Sequence, residues 1–134
     1  MLYLPDTNVF SQFFQGRDHE LRKRMGHKFF DLRLSSLVLA ELEFGAAKSS
    51  VPKHRRNVDQ LLAQLIVISF DREDAALYGE LRSHLERKGQ IIGSIDLLIA
   101  AQALRLGATV VTHNLSEFKR VPKLKVVDWR TSNS

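Results

Sequence analysis

The chain has 134 residues, of which 44% are hydrophobic and 26% charged, the composition of a soluble globular protein of one domain. Its net charge of +5 and pI of about 9.8 favour a polyanionic partner, because clustered lysines and arginines attract phosphate groups. The absence of cysteine excludes disulfides, thiolate metal sites and a cysteine nucleophile. Neither a signal peptide nor a membrane-spanning stretch is recognisable, so we expect a cytoplasmic protein without membrane attachment.

Strands and helices are predicted to alternate along the chain, starting with a short apolar run that ends at Asp6. The predicted strands are short and continuously apolar, and lie at residues 2–6, 32–35, 65–68, 109–112 and 125–129. Spacing and capping residues predict helices over 37–48, from 52 onward, over 71–88, and over 94–106 with Ser94 as its cap. Strands of this kind favour a parallel sheet that helices cover on both faces. The last few residues are predicted to be frayed.

Polar side chains follow the ends of several predicted strands. Asp6 ends the first strand, Glu41 lies early in the helix after the second, and Asp96 lies in the first turn of its helix. Thr112 ends the fourth strand and adds a hydroxyl group. Because ligands of open parallel α/β sheets bind beyond the carboxyl ends of the strands, we expect these groups to meet at one edge.

Each acid also has a structural explanation when it is taken alone. Asp6 is a suitable N-cap for the residues after it, and a helix dipole would favour Asp96 in a first turn. Periodicity does not choose between Glu41 and Glu43, because their helix is apolar around most of its circumference. Asp96, however, has apolar helical neighbours and no local cation, so burial of its charge is costly. Several acids that converge without cations favour a divalent metal ion between them.

Four motifs in chain order resemble those of PIN domains, and in particular those of VapC-type toxins. They are LPDTNV at 4–9, SSLVLAELEFG at 35–45, GSIDLLIAA at 93–101 and THNLSEF at 112–118, the last followed by RVP at 120–122 and VDW at 127–129. The resemblance covers essentially the whole chain and implies a single PIN domain over residues 1–134. The implied fold is α/β with three layers, in which helices flank a short central parallel sheet of about five strands.

The resemblance further implies the toxin of a type II toxin–antitoxin system, an endoribonuclease that uses Mg²⁺ or Mn²⁺ to cut structured RNA of the tRNA or rRNA class. The family's metal-binding positions fall on Asp6, Glu41 and Asp96, which favours Glu41 over Glu43. A cognate VapB-type antitoxin, a homodimer and a higher assembly with the antitoxin are implied as well. With water as the nucleophile, we expect products with 5′-phosphate and 3′-hydroxyl ends.

The supporting positions are less regular than the acidic ones. Asn8 falls on a position that supports the site by hydrogen bonding, and Thr112 matches the hydroxyl residue beside the fourth position. Many PIN domains have an aspartate where this chain has Asn114. Either Asn114 or Glu117 completes the site, or three acids suffice and a single metal ion is used.

Two other functions fit parts of the pattern. A phosphatase with Asp6 as covalent nucleophile would need a second aspartate two residues later, where Asn8 stands. A catalytically weak PIN-like module that binds RNA or protein without cutting gains support from Asn114, although three retained acids count against it. Metal-dependent cleavage of RNA distinguishes the enzyme from the binding module.

Overall fold

Residues 1–131 are described by the computed structural model, and the predicted fraying falls on residues outside this range. The strands are β1 (Tyr3–Pro5), β2 (Arg33–Ser35), β3 (Ile66–Ile68), β4 (Thr109–Val111) and β5 (Lys125–Val127). The helices are α1 (Thr7–Gln15), α2 (His19–His27), α3 (Ser36–Lys48), α4 (Pro52–Gln64), α5 (Arg72–Arg87), α6 (Ser94–Leu106) and α7 (Leu115–Phe118). A turn of 3₁₀ helix spans Phe29–Asp31.

The strands form the parallel sheet that the sequence predicts. β4 pairs with β1 on one side and with β5 on the other, while β2 pairs with β3, and all these pairings are parallel. A parallel bridge between Tyr3 and Leu32 places β2 beside β1, so the order is β3-β2-β1-β4-β5. The register opposes Pro5 to Val111, which brings the residues that follow β1 and β4 side by side.

The hydrophobic core lies around the central strands. Leu4 of β1 and Val110 of β4 are fully buried, and Phe10 of α1 and Phe118 of α7 are the largest fully buried side chains. Helices flank the sheet as predicted, although the outer strand β3 leaves Ile66 59% exposed. An outer strand has a neighbouring strand on one side only, and apolar composition does not reveal that position.

One detail of the predicted helices needs correction. Ser94 does not cap α6: it is the first helical residue, Gly93 occupies the N-cap position, and no side chain caps this end. The predicted cap of α5 is confirmed, because the Asp71 carboxylate accepts hydrogen bonds from the backbone amides of Glu73 and Asp74.

Buried polar contacts hold α6 against the sheet and against α5. The Ser35 hydroxyl at the end of β2 donates to Gln102 at 2.6 Å, and the Gln102 amide donates to the carbonyl of Ile68 at 3.0 Å. Farther along α6, Arg105 pairs with the fully buried Asp74 of α5. These contacts restrain α6, whose first turn carries Asp96. No helix of the described residues is long and apolar enough to cross a membrane.

Candidate metal centre

Four acids whose charges act on one another, Asp6, Glu41, Asp96 and Glu117, form what we call the carboxylate cluster. Within it, Asp6 also serves as a helix cap. One carboxylate oxygen accepts the backbone amide of Val9 at 3.1 Å, which caps α1. The other accepts the hydroxyl of Thr112 at 2.6 Å, across the β1–β4 pairing. Burial raises the pKa of Asp6, while these two hydrogen bonds and the nearby His113 oppose the rise. Only 7% of Asp6 is exposed, so its charge is held in a poorly solvated position.

Asp96 lies in surroundings that disfavour the charged form of its carboxyl group. It is the third residue of α6, and the helical neighbours Ile99, Ala100 and Ala103 are buried as predicted. Burial, followed by the negative charges of Glu117, Asp6 and Glu41, raises its pKa from 3.8 to about 6. All of these influences act in one direction, because no hydrogen bond or cation compensates them in the part of the chain described. A carboxylate in this setting is stabilised strongly by an incoming cation.

The structure separates the two glutamates that periodicity could not. Glu41 of α3 faces α1, where the hydroxyl of Thr7 donates to its carboxylate, and its charge is close enough to raise the pKa of Asp6 and Asp96. Glu43 faces α4 instead and forms two hydrogen bonds with Arg55, at 2.7 and 2.9 Å. Arg55 lowers the pKa of Glu43, which is therefore a paired surface acid.

A fourth carboxylate comes from the short helix α7. Glu117 accepts the backbone amide of Gly93 at 2.7 Å with one oxygen and the side-chain amide of Asn114 with the other. Among the neighbouring charges, that of Glu117 has the largest effect on the pKa of Asp96 and raises it. Asn114 therefore orients Glu117, and it is Glu117 that brings a negative charge beside Asp96.

Thr112 links two of these groups. Its buried hydroxyl donates to Asp6 and accepts the backbone amide of Asn114 at 2.9 Å. Asn8, the other residue predicted to support the site, is solvent-exposed on α1. The supporting hydrogen bond on that turn comes from its neighbour Thr7.

Thr7 and Gly93 are the two contributors that the sequence analysis missed. The hydroxyl of Thr7 stands next to Asp6 in the LPDTNV motif, which is a signal that could have been used. Gly93 acts through its backbone amide, and a Cβ there would lie 3.7 Å from both Asp96 and Glu117. Because nearly every residue has a backbone amide, the residue type does not indicate such a contribution.

The donor set fits a hard divalent cation, since it offers carboxylate oxygens and an excess of negative charge. Within residues 1–131, none of these four carboxylates forms an ion pair with lysine, arginine or histidine. In the same range no three acidic or histidine side chains are grouped closely enough to enclose an ion without moving. Glu41 and Glu117 instead accept hydrogen bonds from neutral donors, which orient the carboxylates without neutralising their charge.

Comparison with known proteins places this chain in a family. The model of the PIN domain matches residues 3–124, which include all four carboxylates. The chain belongs to the PIN domain family, and within it to the VapC ribonucleases. The VapC ribonucleases are RNA-cleaving enzymes.

Two relatives show how far the similarity extends. Ribonuclease VapC2 of Rickettsia felis is 39% identical over 132 residues, which cover 96% of this chain and 98% of that protein. The tRNA(fMet)-specific endonuclease VapC of Salmonella typhimurium is 34% identical over 128 residues, covering 95% and 97%. The crystal structure of VapBC2 from Rickettsia felis, bound to a DNA fragment from their promoter, contains a chain of the same fold. Its TM-score is 0.88 at 37% identity, with 96% of this chain and 99% of that chain covered.

Proposed function

We propose that this chain is the toxin of a VapBC-type toxin–antitoxin pair and hydrolyses phosphodiester bonds of structured RNA, of the tRNA or rRNA class, with the help of Mg²⁺ or Mn²⁺. The observation that carries the proposal is the state of Asp96. Its pKa of about 6 results from burial and from three neighbouring acids, without a compensating cation in the described residues. A fold that served only as a scaffold would gain stability from replacing such a group with a neutral one.

Asp6, Glu41 and Asp96 would hold the ion, with Glu117 beside Asp96. When bound, a divalent ion lowers the pKa of a water molecule and offsets the negative charge that develops on the phosphate. The hydroxyls of Thr112 and Thr7 fix the carboxylates of Asp6 and Glu41 in orientation. A ligand set held in this way loses less conformational freedom when the ion and the RNA bind.

The proposed reaction is attack of water on the phosphorus atom. The bond between phosphorus and the 3′ oxygen breaks, a proton is transferred to that oxygen, and the products carry a 5′-phosphate and a 3′-hydroxyl. This route does not use the 2′-hydroxyl of the RNA. A 2′,3′-cyclic phosphate among the products would contradict it.

The comparisons also support an antitoxin partner. The similar structures from Rickettsia felis and from Salmonella typhimurium are VapBC complexes, in both cases bound to DNA. We therefore expect a VapB-type antitoxin to bind this chain, and the toxin–antitoxin complex to bind DNA. The homodimer implied by the sequence resemblance stays a prediction, which light scattering of the isolated chain tests.

Cleavage of total bacterial RNA by the antitoxin-free protein tests the proposed function. Reactions with Mg²⁺ or Mn²⁺ are compared with reactions containing EDTA and with the Asp6→Ala and Asp96→Asn variants, while Glu43→Gln serves as a matched control in an acid outside the cluster. Discrete fragments should disappear in the first three cases and persist in the control. Intact RNA that nevertheless binds the wild-type protein tightly would favour the non-cutting module, and cleavage that survives both cluster variants would contradict the assigned site.

A further inference from the structure

A cleft opens beside the carboxylate cluster, between α1, α3 and α4. Its volume is about 370 Å³, and Thr7 and Glu41 form the end that meets the cluster. Phe14, Leu42 and Val58 provide apolar walls. Sites for small organic groups typically have volumes of about 300–1,000 Å³ and mostly apolar walls with a few polar groups, so this cleft is large enough for one planar ring system.

The polar groups of the cleft are cationic or neutral away from the cluster. Lys53 and His54, in the first turn of α4, and Lys48, near the end of α3, line its outer part, and Glu41 is the one acid among its lining residues. Lys53 is exposed and forms no ion pair with any described residue. An ammonium group without a partner at the mouth of an apolar cleft favours an anionic occupant.

A second cavity continues the cleft away from the cluster. It shares Phe14 and Asn57 with the first, and extends to His19, Arg22 and Lys23 of α2. No acid is present among the residues that line it. The two cavities together form a track that begins at the carboxylates and runs past basic side chains, as a chain of regularly spaced phosphates requires.

We propose that this track binds the single-stranded segment of the RNA next to the bond that is cut, and that the first cavity receives an unpaired base. The inference rests on the proposed function, because it takes the carboxylate cluster to be the place of cleavage. In this arrangement the base packs against Phe14, and Lys53 contacts a backbone phosphate. Asn57, which is partly exposed between the two cavities, donates to or accepts from the edge of the base.

The three residues have separable effects on binding. A phosphate contact contributes affinity without sequence preference, so Lys53→Ala should weaken binding of all sequences and lower the salt dependence of the affinity by about 0.7 in the logarithmic slope. Stacking on an aromatic ring contributes about 5- to 150-fold per base, and Phe14→Leu keeps an apolar wall while removing the ring. Asn57→Ala should change which nucleotide is preferred next to the cut.

The binding experiment uses the complete chain in EDTA, so that it does not depend on cleavage. The probe is a fluorescently labelled, single-stranded RNA of mixed sequence and about 12 nucleotides, which spans about one binding site. It is titrated with the protein at several salt concentrations. Lys88→Ala, which removes an exposed lysine at the end of α5 outside the track, is the matched control. Lys53→Ala and Phe14→Leu should weaken binding at least 5-fold relative to this control, with about 0.7 less salt slope for Lys53→Ala alone.

Affinities of the two cleft variants equal to that of Lys88→Ala would overturn the proposal, whether or not the protein cuts RNA. If the cleft variants also retained wild-type cleavage of total RNA but no longer bound the antitoxin, the cleft would be a protein-binding surface instead. Sequencing of the new 5′ ends in total RNA adds the third readout, in which Asn57→Ala should shift the preferred nucleotide at one position. If the wild-type protein did not cleave RNA, the proposed function would be refuted. The binding measurement would still test, independently, whether the track binds single-stranded RNA.

Discussion

Asp96→Asn should make the metal-free protein more stable while it abolishes cleavage. The wild-type carboxylate is half-buried among acids, and the substitution removes its charge while keeping its size. A pKa moved from 3.8 to about 6 corresponds to about 3 kcal/mol at neutral pH. Because the group is only half-buried, screening by water reduces this to about 1–2 kcal/mol.

The gain in stability should depend on pH in a defined direction. In the unfolded chain the Asp96 carboxyl ionises near pH 3.8, and in the folded chain near pH 6. Between these values the unfolded state has already lost its proton, so the wild-type protein loses stability as the pH rises through this window. Below the window both states are protonated, and the variant and the wild type should be equally stable. Above it the full difference should persist.

Urea unfolding in EDTA, at about pH 4 and at about pH 7.5, measures this difference. Asp59→Asn is the control, because Asp59 is a mostly exposed acid that pairs with Arg55 on α4. Addition of Mn²⁺ at the higher pH should reverse the order, since an ion at 100 times its dissociation constant stabilises the folded wild-type protein by about 2.7 kcal/mol. An equal gain at both pH values, or no gain at the higher one, would refute the electrostatic argument.

Three further predictions concern the site and its support. Glu41→Gln should abolish cleavage of mapped RNA, whereas Glu43→Gln should leave the rate near wild type, because Glu43 is paired on the surface; equal losses would contradict this assignment. Thr112→Val should lower the free energy of unfolding by about 1–3 kcal/mol, as buried hydrogen bonds lose their partner, with Thr112→Ser restoring most of it in the same urea titration. Arg105→Ala should cost about 3 kcal/mol in calorimetry by leaving the buried Asp74 without its cation, and a change below that of an ordinary surface substitution would show the pair to be dispensable.

Much of the fold is predictable because the signals are local. Short apolar runs identify all five strands of the described chain within one or two residues, and Asp71 identifies the start of α5. Three helices were not predicted, and their signals are weak: α1 was indicated only by Asp6 as a possible N-cap, α2 buries only Leu21 and Met25, and α7 is a single turn. Helices of this kind depend on contacts with the rest of the molecule more than on their own periodicity.

The candidate site, like the fold, could be predicted only in part from the sequence. The sequence by itself determined that Asp6, Asp96 and Thr112 follow strand ends or open a helix, because parallel topology sends these positions to one edge of the sheet. Periodicity left open which nearby acid joins them and the resemblance favoured Glu41, but only the tertiary structure supplies the physical reason. Glu41 and Glu43 are two residues apart, so they point to different sides of α3 and meet different neighbours.

Periodicity does not reveal which distant residues lie next to each of these glutamates. Arg55, twelve residues beyond Glu43, pairs with that acid, and Thr7, thirty-four residues before Glu41, directs that carboxylate towards the cluster. In the same way the Gly93 amide, far from α7 in sequence, orients Glu117. Residue type and spacing determine which groups are able to bind a metal ion, whereas the charge and hydrogen-bond donors around each carboxylate, which set its pKa and direction, exist only once distant segments pack together.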